Sequence, residues 1–556
     1  MTRVPTWARA LAFYLVLAIL TIGLYAILHP RTVCACVGTA DPALFMWGLS
    51  WWPHAIAHGL NPFVTHYQWA PTGVNLAQTT MVPTAALAMT PFTELFGPIF
   101  SYNAMSIVSP ALSAFTAYLL CRRLVKRELP AVAGGLLFGF GAYEFTQLMD
   151  HLNLVTIFLV PVMVHITLRR VDREISRRVY IAAMALLLAL QLGLSTELLF
   201  DCVLLGGIML VAARFLAAQP QRGRINGLIV ETGLAGLLAI AVCSPFLYYA
   251  LFSGPLIPGN PVLSDVYGLD LANLVFPAQV TWLGHHEFHA LWATFEHDNS
   301  SESDGYLSIA ILIAFATWFF TEGYRRVLGR LLAAGVVVSL VTTLGSQLHV
   351  AGTETVALPF DWLNNVRIFD NVLPSRVVMF TTLAISIGVA AWLAKSGGHA
   401  YRRWLLVLVG MVMLFPRVGP ALYGERPHNP SFFSTDIYRH YLTRNETVLV
   451  LPYSYNDIST LWQAETGFYF YMPEGYVVGN TPPTFEAQPG VIEMVHNVAP
   501  APSILASFIR AHVVSHVVVD PTVAGPWPAA LAQLGLHGKS VGGVLLYTVP
   551  GAPGSS

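Results

Sequence analysis

The chain has 556 residues, of which 55% are hydrophobic and only 11% charged, whereas a soluble domain carries about 25% charged residues. Its formal net charge is -1, so no basic field draws a phosphate backbone. An ordinary soluble enzyme, a disordered chain and a nucleic-acid binder are therefore excluded. Five cysteines in this length also exclude a disulfide-stapled scaffold. What remains is an α-helical polytopic membrane protein.

A helix needs about 20 mostly apolar residues to cross the hydrocarbon core, and backbone polar groups cannot go unsatisfied there. Runs of that kind fall near residues 8–28, 101–121, 131–149, 151–168, 179–197, 198–217, 227–251, 305–321, 331–347, 374–394 and 404–420, giving about eleven expected spans. The first is flanked by Arg3 and Arg9. It is longer than a signal-peptide core and lacks a small-x-small cleavage site, so it reads as a span. The stretch MVPTAALAMTPFTELFG (81–97) is apolar but carries Pro83, Pro91 and Glu94. Read as a helix lying along the outer surface, it leaves one consistent charge pattern. Arg3 and Arg9, the run 122–127 and the stretches 169–178, 214–224, 325–330 and 395–403 then share a side and hold twenty of the 29 Lys and Arg residues. The positive-inside rule makes that side cytoplasmic, with the N-terminus. Residues 29–100, 252–304 and the tail from about 421 face outward. Short inner loops and long outer ones place the work of the protein at the outer face.

The expected organisation is a transmembrane unit over 1–420 and a small extracytoplasmic α/β domain over 421–556. In the tail, ETVLVLPY (446–453), HVVSHVVVD (512–520) and GVLLYTVP (543–550) are β-branched runs of strand length. SILASFIRA (503–511) and PAALAQLG (528–535) have helical spacing. The tail holds no Gly-rich phosphate loop, HExxH or GxSxG. It reads as a packing or lid domain, or as a platform for a glycan acceptor.

Ionisable residues at membrane depth are costly, so each is a functional candidate. Asp41 follows the first span. Glu144, Asp150, His151 and Asn153 lie where the third span gives way to the fourth, and Glu197 sits at the turn between the fifth and sixth. Carboxylates from three outer turns can converge on one acid–base centre. Each also has a plainer reading: Asp41 and Asp150 as helix caps, Glu144 as a headgroup-level charge. Asp201, one turn beyond Glu197, points deeper and invites a partner on a neighbouring helix. Arg367 and Arg376 flank the outer start of the tenth span. An Arg fork suits a phosphate oxygen pair, although an anchor to lipid headgroups uses the same chemistry. His285, His286 and His289 form a weak metal alternative, with no second ligand cluster; no cofactor is required. Cys34 and Cys36 are too close for a zinc site and are either joined to each other or unpaired. Trp51 and Trp52, with Trp47 and Trp69, suit the membrane interface or a surface on which a sugar or isoprenoid chain packs.

Taken together, CACVGTADPALFMWGLSWWPHAIAHGLNPF...YQWAPTGVNLAQTT, GLLFGFGAYEFTQLMDHLNL and the tail pattern HVVSHVVVDPT...LGLHG...GVLLYTVP carry a resemblance over most of the chain. It resembles the GT-C class of membrane glycosyltransferases, which includes the protein mannosyltransferases and the aminoarabinose transferases, and a bacterial group of GT-C-like membrane proteins. The resemblance implies a GT-C-like helical fold in a bacterial cytoplasmic (inner) membrane. The donor would be a polyprenyl-phosphate-linked sugar and the acceptor a glycan, lipid or protein. Asp41 would be the catalytic base, with Glu144 or Asp150 as a second acid. The first loop has a single Asp where the class carries an acidic pair, so a divalent metal is doubtful. A transporter or flippase would want ionisable groups at the midplane and paired halves, which the sequence lacks; a non-catalytic binder of lipid-linked glycans is the third reading.

Overall fold

The computed structural model describes residues 4–38, 40–254, 266–277, 279–294, 300–302, 305–365, 373–453, 458–477 and 481–551. Five helices are long and apolar enough to cross a membrane: Thr6–Leu28, Pro98–Val125, Thr196–Leu216, Gln219–Val242 and Pro374–Leu393. The chain is a membrane protein. Shorter helices take the places of the other expected spans: Glu128–Gly139, Leu159–Val171, Arg177–Leu192, Ile309–Thr321, Val327–Thr343 and Ala400–Met413.

The bundle has two chemically distinct ends. At one, Thr6 Oγ1 donates to Glu128 Oε1 at 3.2 Å, and Arg123 holds Asp172 and Glu174, each at 2.5 Å. Arg127 reaches Ser396 at 2.6 Å. The basic stretches grouped by sequence thus meet at one end. At the other end, Asn103 Nδ2 donates to Val33 O at 2.7 Å, and Asn103 Oδ1 accepts from Ala35 N at 2.8 Å. The first helix therefore ends where Pro98–Val125 begins, and the chain between them does not cross. Within it, Pro83–Phe96 has 14 residues, roughly 21 Å of helix, with Pro91 in its interior. Gly97, at φ +89°, makes the reversal into Pro98, a backbone region open to glycine without penalty.

One expected pair of spans is different in kind. Residues 131–149 and 151–168 are not two continuous helices. The helix from Glu128 stops at Gly139, a short helix covers Ala142–Gln147, and the next begins only at Leu159. The first part packs against Pro98–Val125 through glycines. A Cβ at Gly135 or Gly139 would overlap the backbone of Ala114, the close approach that small residues permit between membrane helices. Between Leu148 and Phe158 the backbone is irregular and almost wholly buried. Non-helical backbone at this depth is tolerated only inside protein or along a cavity. An apolar run does not tell a buried helix from a buried irregular segment, which is why the sequence reading ran straight through it.

Two small ribbons precede the tail, β1 (Val64–Thr65) with β2 (Val74–Asn75) and β3 (Gln347–Val350) with β4 (Thr353–Ala357). The tail strands are found near their expected places: β5 (Thr447–Leu451), β6 (Val514–Val519) and β8 (Val544–Thr548), joined by an additional strand, β7 (Gly538–Val541). They form one sheet in the order β5-β6-β8-β7. β5 and β6 are parallel, and β8 is antiparallel to both of its neighbours. Helices Pro502–Ala511 and Trp527–Gln533 cover the strands, with Leu505, Phe508 and Trp527 buried against β5 and β6.

The first loop supplies helix Ala40–Ala57 and the two-stranded ribbon β1 (Val64–Thr65) and β2 (Val74–Asn75). Loop and tail share core. Gln463, fully buried, accepts from Trp47 Nε1 at 2.8 Å through Oε1. Its Nε2 donates to Tyr67 O at 2.8 Å and Phe470 O at 3.0 Å. Gln463→Leu takes the partner from the Trp47 donor and the Phe470 acceptor, at about 1–3 kcal/mol each, while Tyr67 O keeps its bond from Met472 N. We expect a clear drop in the thermal midpoint of purified protein in detergent, and no comparable drop for Gln221→Leu at an exposed position.

Candidate functional site

Six segments meet at the end opposite the basic one, two of them bringing Arg376 and Tyr476. Asp41 lies in the first turn of helix Ala40–Ala57. Glu197 lies in the first turn of Thr196–Leu216, whose cap Ser195 accepts from Leu198 N. Helix N-termini favour acidic residues through their exposed N–H groups and dipole. The irregular segment after Gln147 brings Asp150 and His151, and a short turn at Ser300–Glu302 brings Glu302.

Two linked clusters result. In the deeper one, Arg376 Nη1 reaches Glu197 Oε2 at 2.6 Å and Nη2 reaches Glu302 Oε1 at 2.5 Å. Arg376 Nε adds a 3.1 Å bond to Glu302 Oε2, which also accepts from Ser375 at 3.3 Å. Both sides of the guanidinium fork are occupied. In the outer cluster, His151 Nδ1 lies 2.9 Å from Gln147 Oε1 and 3.1 Å from Asp150 Oδ1. Its Nε2 faces Asp41 Oδ2 at 3.5 Å. Asp41 Oδ1 accepts from the Tyr476 hydroxyl at 2.6 Å. His151 Nδ1 stands 3.9 Å from Glu302 Oε1, so the clusters touch. Asp41 keeps 32% of its side chain exposed and Asp150 29%, against 3% for Glu302, so the outer cluster is the more open of the two.

Burial pushes the Asp150 carboxyl above the usual range; His151 opposes this, and Asp41 and Glu302 add to it. Burial also pushes Glu302 up, but Arg376 and His151 outweigh it and hold that carboxyl below the usual range.

The expected residues fare differently. Asp41, Asp150, His151, Glu197 and Arg376 are brought together. Asn153 is buried in the same irregular segment. Glu144 is not part of the cluster: it is fully buried, its neighbouring hydroxyl is Ser113, and helical phase turns it into the bundle. Arg376 does not present a free fork, because two carboxylates fill it. Trp51 and Trp52 do not offer a stacking face: Trp51 is buried, lies 5.2 Å from the Trp47 ring and donates to Pro62 O, and Trp52 packs edge-on against Phe63. Asp201 is buried beside Glu197, and its Oδ2 has no partner among the described residues. Arg367 lies outside the described residues.

His285, His286 and His289 do not converge. His285 Nδ1 faces Arg417 Nη1 at 3.1 Å, and His289 packs on Trp292. A guanidinium at that nitrogen opposes a cation. Among the described residues no group of three or more His, Cys, Asp or Glu side chains is arranged to hold a metal. Cys34 and Cys36 are bonded to each other. Glu302 and Tyr476 were not singled out from sequence. Glu302 lies in the run SSESD, which reads as a solvated loop, and Tyr476 is an ordinary tail aromatic.

Residues 11–415 match a family model described as a domain of unknown function, DUF6311. The chain belongs to that family. No curated protein matches it. Among solved structures, the apo oligosaccharyltransferase of Archaeoglobus fulgidus is similar at a TM-score of 0.52 and 10% identity, over 92% of this chain and 69% of that one. The arabinofuranosyltransferase AftD from Mycobacteria is similar at 0.55 and 12%, over 98% of this chain and 41% of that one. The chain thus spans less than half the length of AftD. These likenesses show the fold, that of the GT-C membrane glycosyltransferases.

Two outcomes test the electrostatics. Arg376→Met strands two buried carboxylates, and breaking a buried pair in this way costs about 3–5 kcal/mol; we expect a large fall in folded yield at neutral pH. Asp150 binds its proton more tightly folded than unfolded, so its contribution favours folding at low pH and is lost as pH rises through the folded value. Asp150→Asn removes that penalty. The thermal midpoint of the variant relative to the parent should therefore be more favourable at pH 7.5 than at pH 4.5.

Proposed function

We propose that this protein is a membrane glycosyltransferase that moves a sugar from a polyprenyl-phosphate carrier to an acceptor hydroxyl at the outer membrane face. The observation that carries the reading is Asp41: a part-exposed carboxylate at a helix N-terminus, with His151 on one oxygen and Tyr476 on the other. The fold it shares with an oligosaccharyltransferase and an arabinofuranosyltransferase supports the reaction class.

The chemistry follows from those contacts. Asp41 takes the acceptor proton as the acceptor oxygen bonds to the anomeric carbon. The bond from that carbon to the carrier oxygen breaks, and its electron pair leaves on the lipid phosphate. One base with attack opposite the leaving group inverts the anomeric centre. With Nδ1–H donating to Gln147 Oε1, the lone pair of His151 Nε2 faces Asp41 and can accept the proton Asp41 has taken. Both sides of the Arg376 fork are filled by Glu197 and Glu302, so Arg376 holds the frame of the site and is not assigned to the leaving phosphate. Residues 421–556 act as a cap that completes the site through Tyr476. The basic end of the bundle is assigned to the cytoplasm on charge asymmetry.

The test is transfer or hydrolysis from a panel of radiolabelled polyprenyl-phosphate sugars, by purified protein and by Asp41→Asn. General-base loss costs about 100- to 10,000-fold, so the variant should be at least 100-fold slower on whichever donor the parent turns over. Parental activity in Asp41→Asn removes it as the base. A variant that still moves lipid across a vesicle membrane at the parental rate points to a flippase instead.

A further inference from the structure

A row of buried hydroxyls runs down one face of helix Pro98–Val125, inward from the outer cluster. Tyr102, Ser106, Ser109 and Ser113 follow one another at intervals of four, three and four residues, the spacing that keeps side chains on a single helix face. All four are buried, and together they cover roughly 16 Å of the helix axis. The outer end of the row belongs to the site. Asp150 and Asp41 are the carboxylates whose charge acts on the Tyr102 hydroxyl, and Ser106 is the hydroxyl beside it. The inner end belongs to Glu144, which is fully buried and has Ser113 as its neighbour.

Little of this row is paired. The Oγ atoms of Ser106, Ser109 and Ser113 and both carboxyl oxygens of Glu144 make no hydrogen bond among the described residues. A serine inside a helix commonly returns its hydroxyl to the carbonyl one turn back, and these three do not. Pro110 adds an orphan acceptor: it has no N–H, so the Ser106 carbonyl loses the donor that a regular helix gives it. Buried polar groups left unpaired are costly, and groups that stand close without bonding each other are the ones a bridging water joins. One cation does not serve them all. Ser106 and Ser113 lie about 10 Å apart along the axis, whereas a hard cation holds its oxygens at roughly 2–2.6 Å. Oxygens spaced along a line fit a file of waters.

Glu144 decides what that file carries. Its carboxyl has no partner among the described residues, and a carboxylate buried alone neutralises by taking up a proton. The protonated group is a donor as well as an acceptor, so it can end a hydrogen-bonded row of hydroxyls and waters.

We propose that Glu144 is an interior proton-holding site, and that waters bridging Ser113, Ser109, Ser106 and Tyr102 connect it to the Asp41, Asp150 and His151 cluster and so to the outer face. The Glu144 hydroxyl gives its proton to the neighbouring oxygen. Each oxygen along the row accepts one proton and passes on another, and a carboxylate or the imidazole at the outer end receives the last. A proton returning by the same route refills Glu144, and no bond between heavy atoms changes. The proposal does not rest on the transferase reading.

The test is infrared spectroscopy of the full-length protein in lipid nanodiscs, with no sugar donor present. The C=O stretch of a protonated carboxyl is assigned to Glu144 by subtracting the spectrum of Glu144→Gln, and its shift is followed after transfer into D2O. Ser109→Val and Ser109→Thr introduce the same shape and differ by one hydroxyl. Ser113→Ala removes a hydroxyl and adds no bulk, and thermal midpoints control for folding in all variants. We expect a Glu144 band that shifts in D2O in the parent and in Ser109→Thr at similar rates. In Ser109→Val and Ser113→Ala the shift should be roughly tenfold slower or more, the effect of one lost hydrogen-bonded link. No protonated band for Glu144, a band that never exchanges in the parent, parental exchange in both Ser109→Val and Ser113→Ala, or equal slowing in Ser109→Thr and Ser109→Val overturns the proposal. Because no donor is used, a failed sugar-transfer assay bears on the transferase reading alone.

Discussion

A single guanidinium holds the site end of this protein together. Arg376 begins one membrane helix, Glu197 begins another, and Glu302 comes from a loop between two further helices. Taking three charges out of water is expensive, and such a cluster is weak evidence for net stability. Its value here is positional. With both carboxylates on one fork, Glu302 is fixed beside His151, and His151 is fixed between Asp150 and Asp41. The deep cluster sets the floor, and the outer cluster, more exposed and without an arginine, is left to meet substrate.

Much of this was legible in the chain, and the part that was not has physical causes. Apolar run length located the long helices, because the bilayer imposes a length. Clustered Lys and Arg located one end, because charge avoids the core. β-branched runs of strand length located β5, β6 and β8. The convergence of Asp41, Asp150 and Glu197 followed from all three lying at turns on the same side. Glu144 lies instead in the short helix Ala142–Gln147 and is fully buried, and helical phase cannot be read across the break at Phe140 and Gly141. Arg376 was seen, but not its partners: Glu302 sits among serines and an aspartate that look solvated. Tyr476 could not be found from spacing at all.

The first loop and the tail are joined by packing as well as by the bond between Tyr476 and Asp41. Trp47 and Trp51, which look like interfacial anchors in sequence, are buried between helix Ala40–Ala57 and Phe468. Gln463 pairs the loop's indole with its backbone. One helix thus carries Asp41 at its first turn and, further along, the indoles that lock it against the tail.

The bond between Tyr476 and Asp41 spans 435 residues of chain. Synthesis at about 5–20 residues per second separates the two by on the order of 20 to 90 s. During that interval Asp41 is already made, while its tyrosine is not. The early helices can insert and pack, but the Asp41 cluster is closed only when the tail arrives and docks. The molecule therefore carries its own delay: a chain stalled before Tyr476 presents Asp41 and His151 without the hydroxyl that covers them.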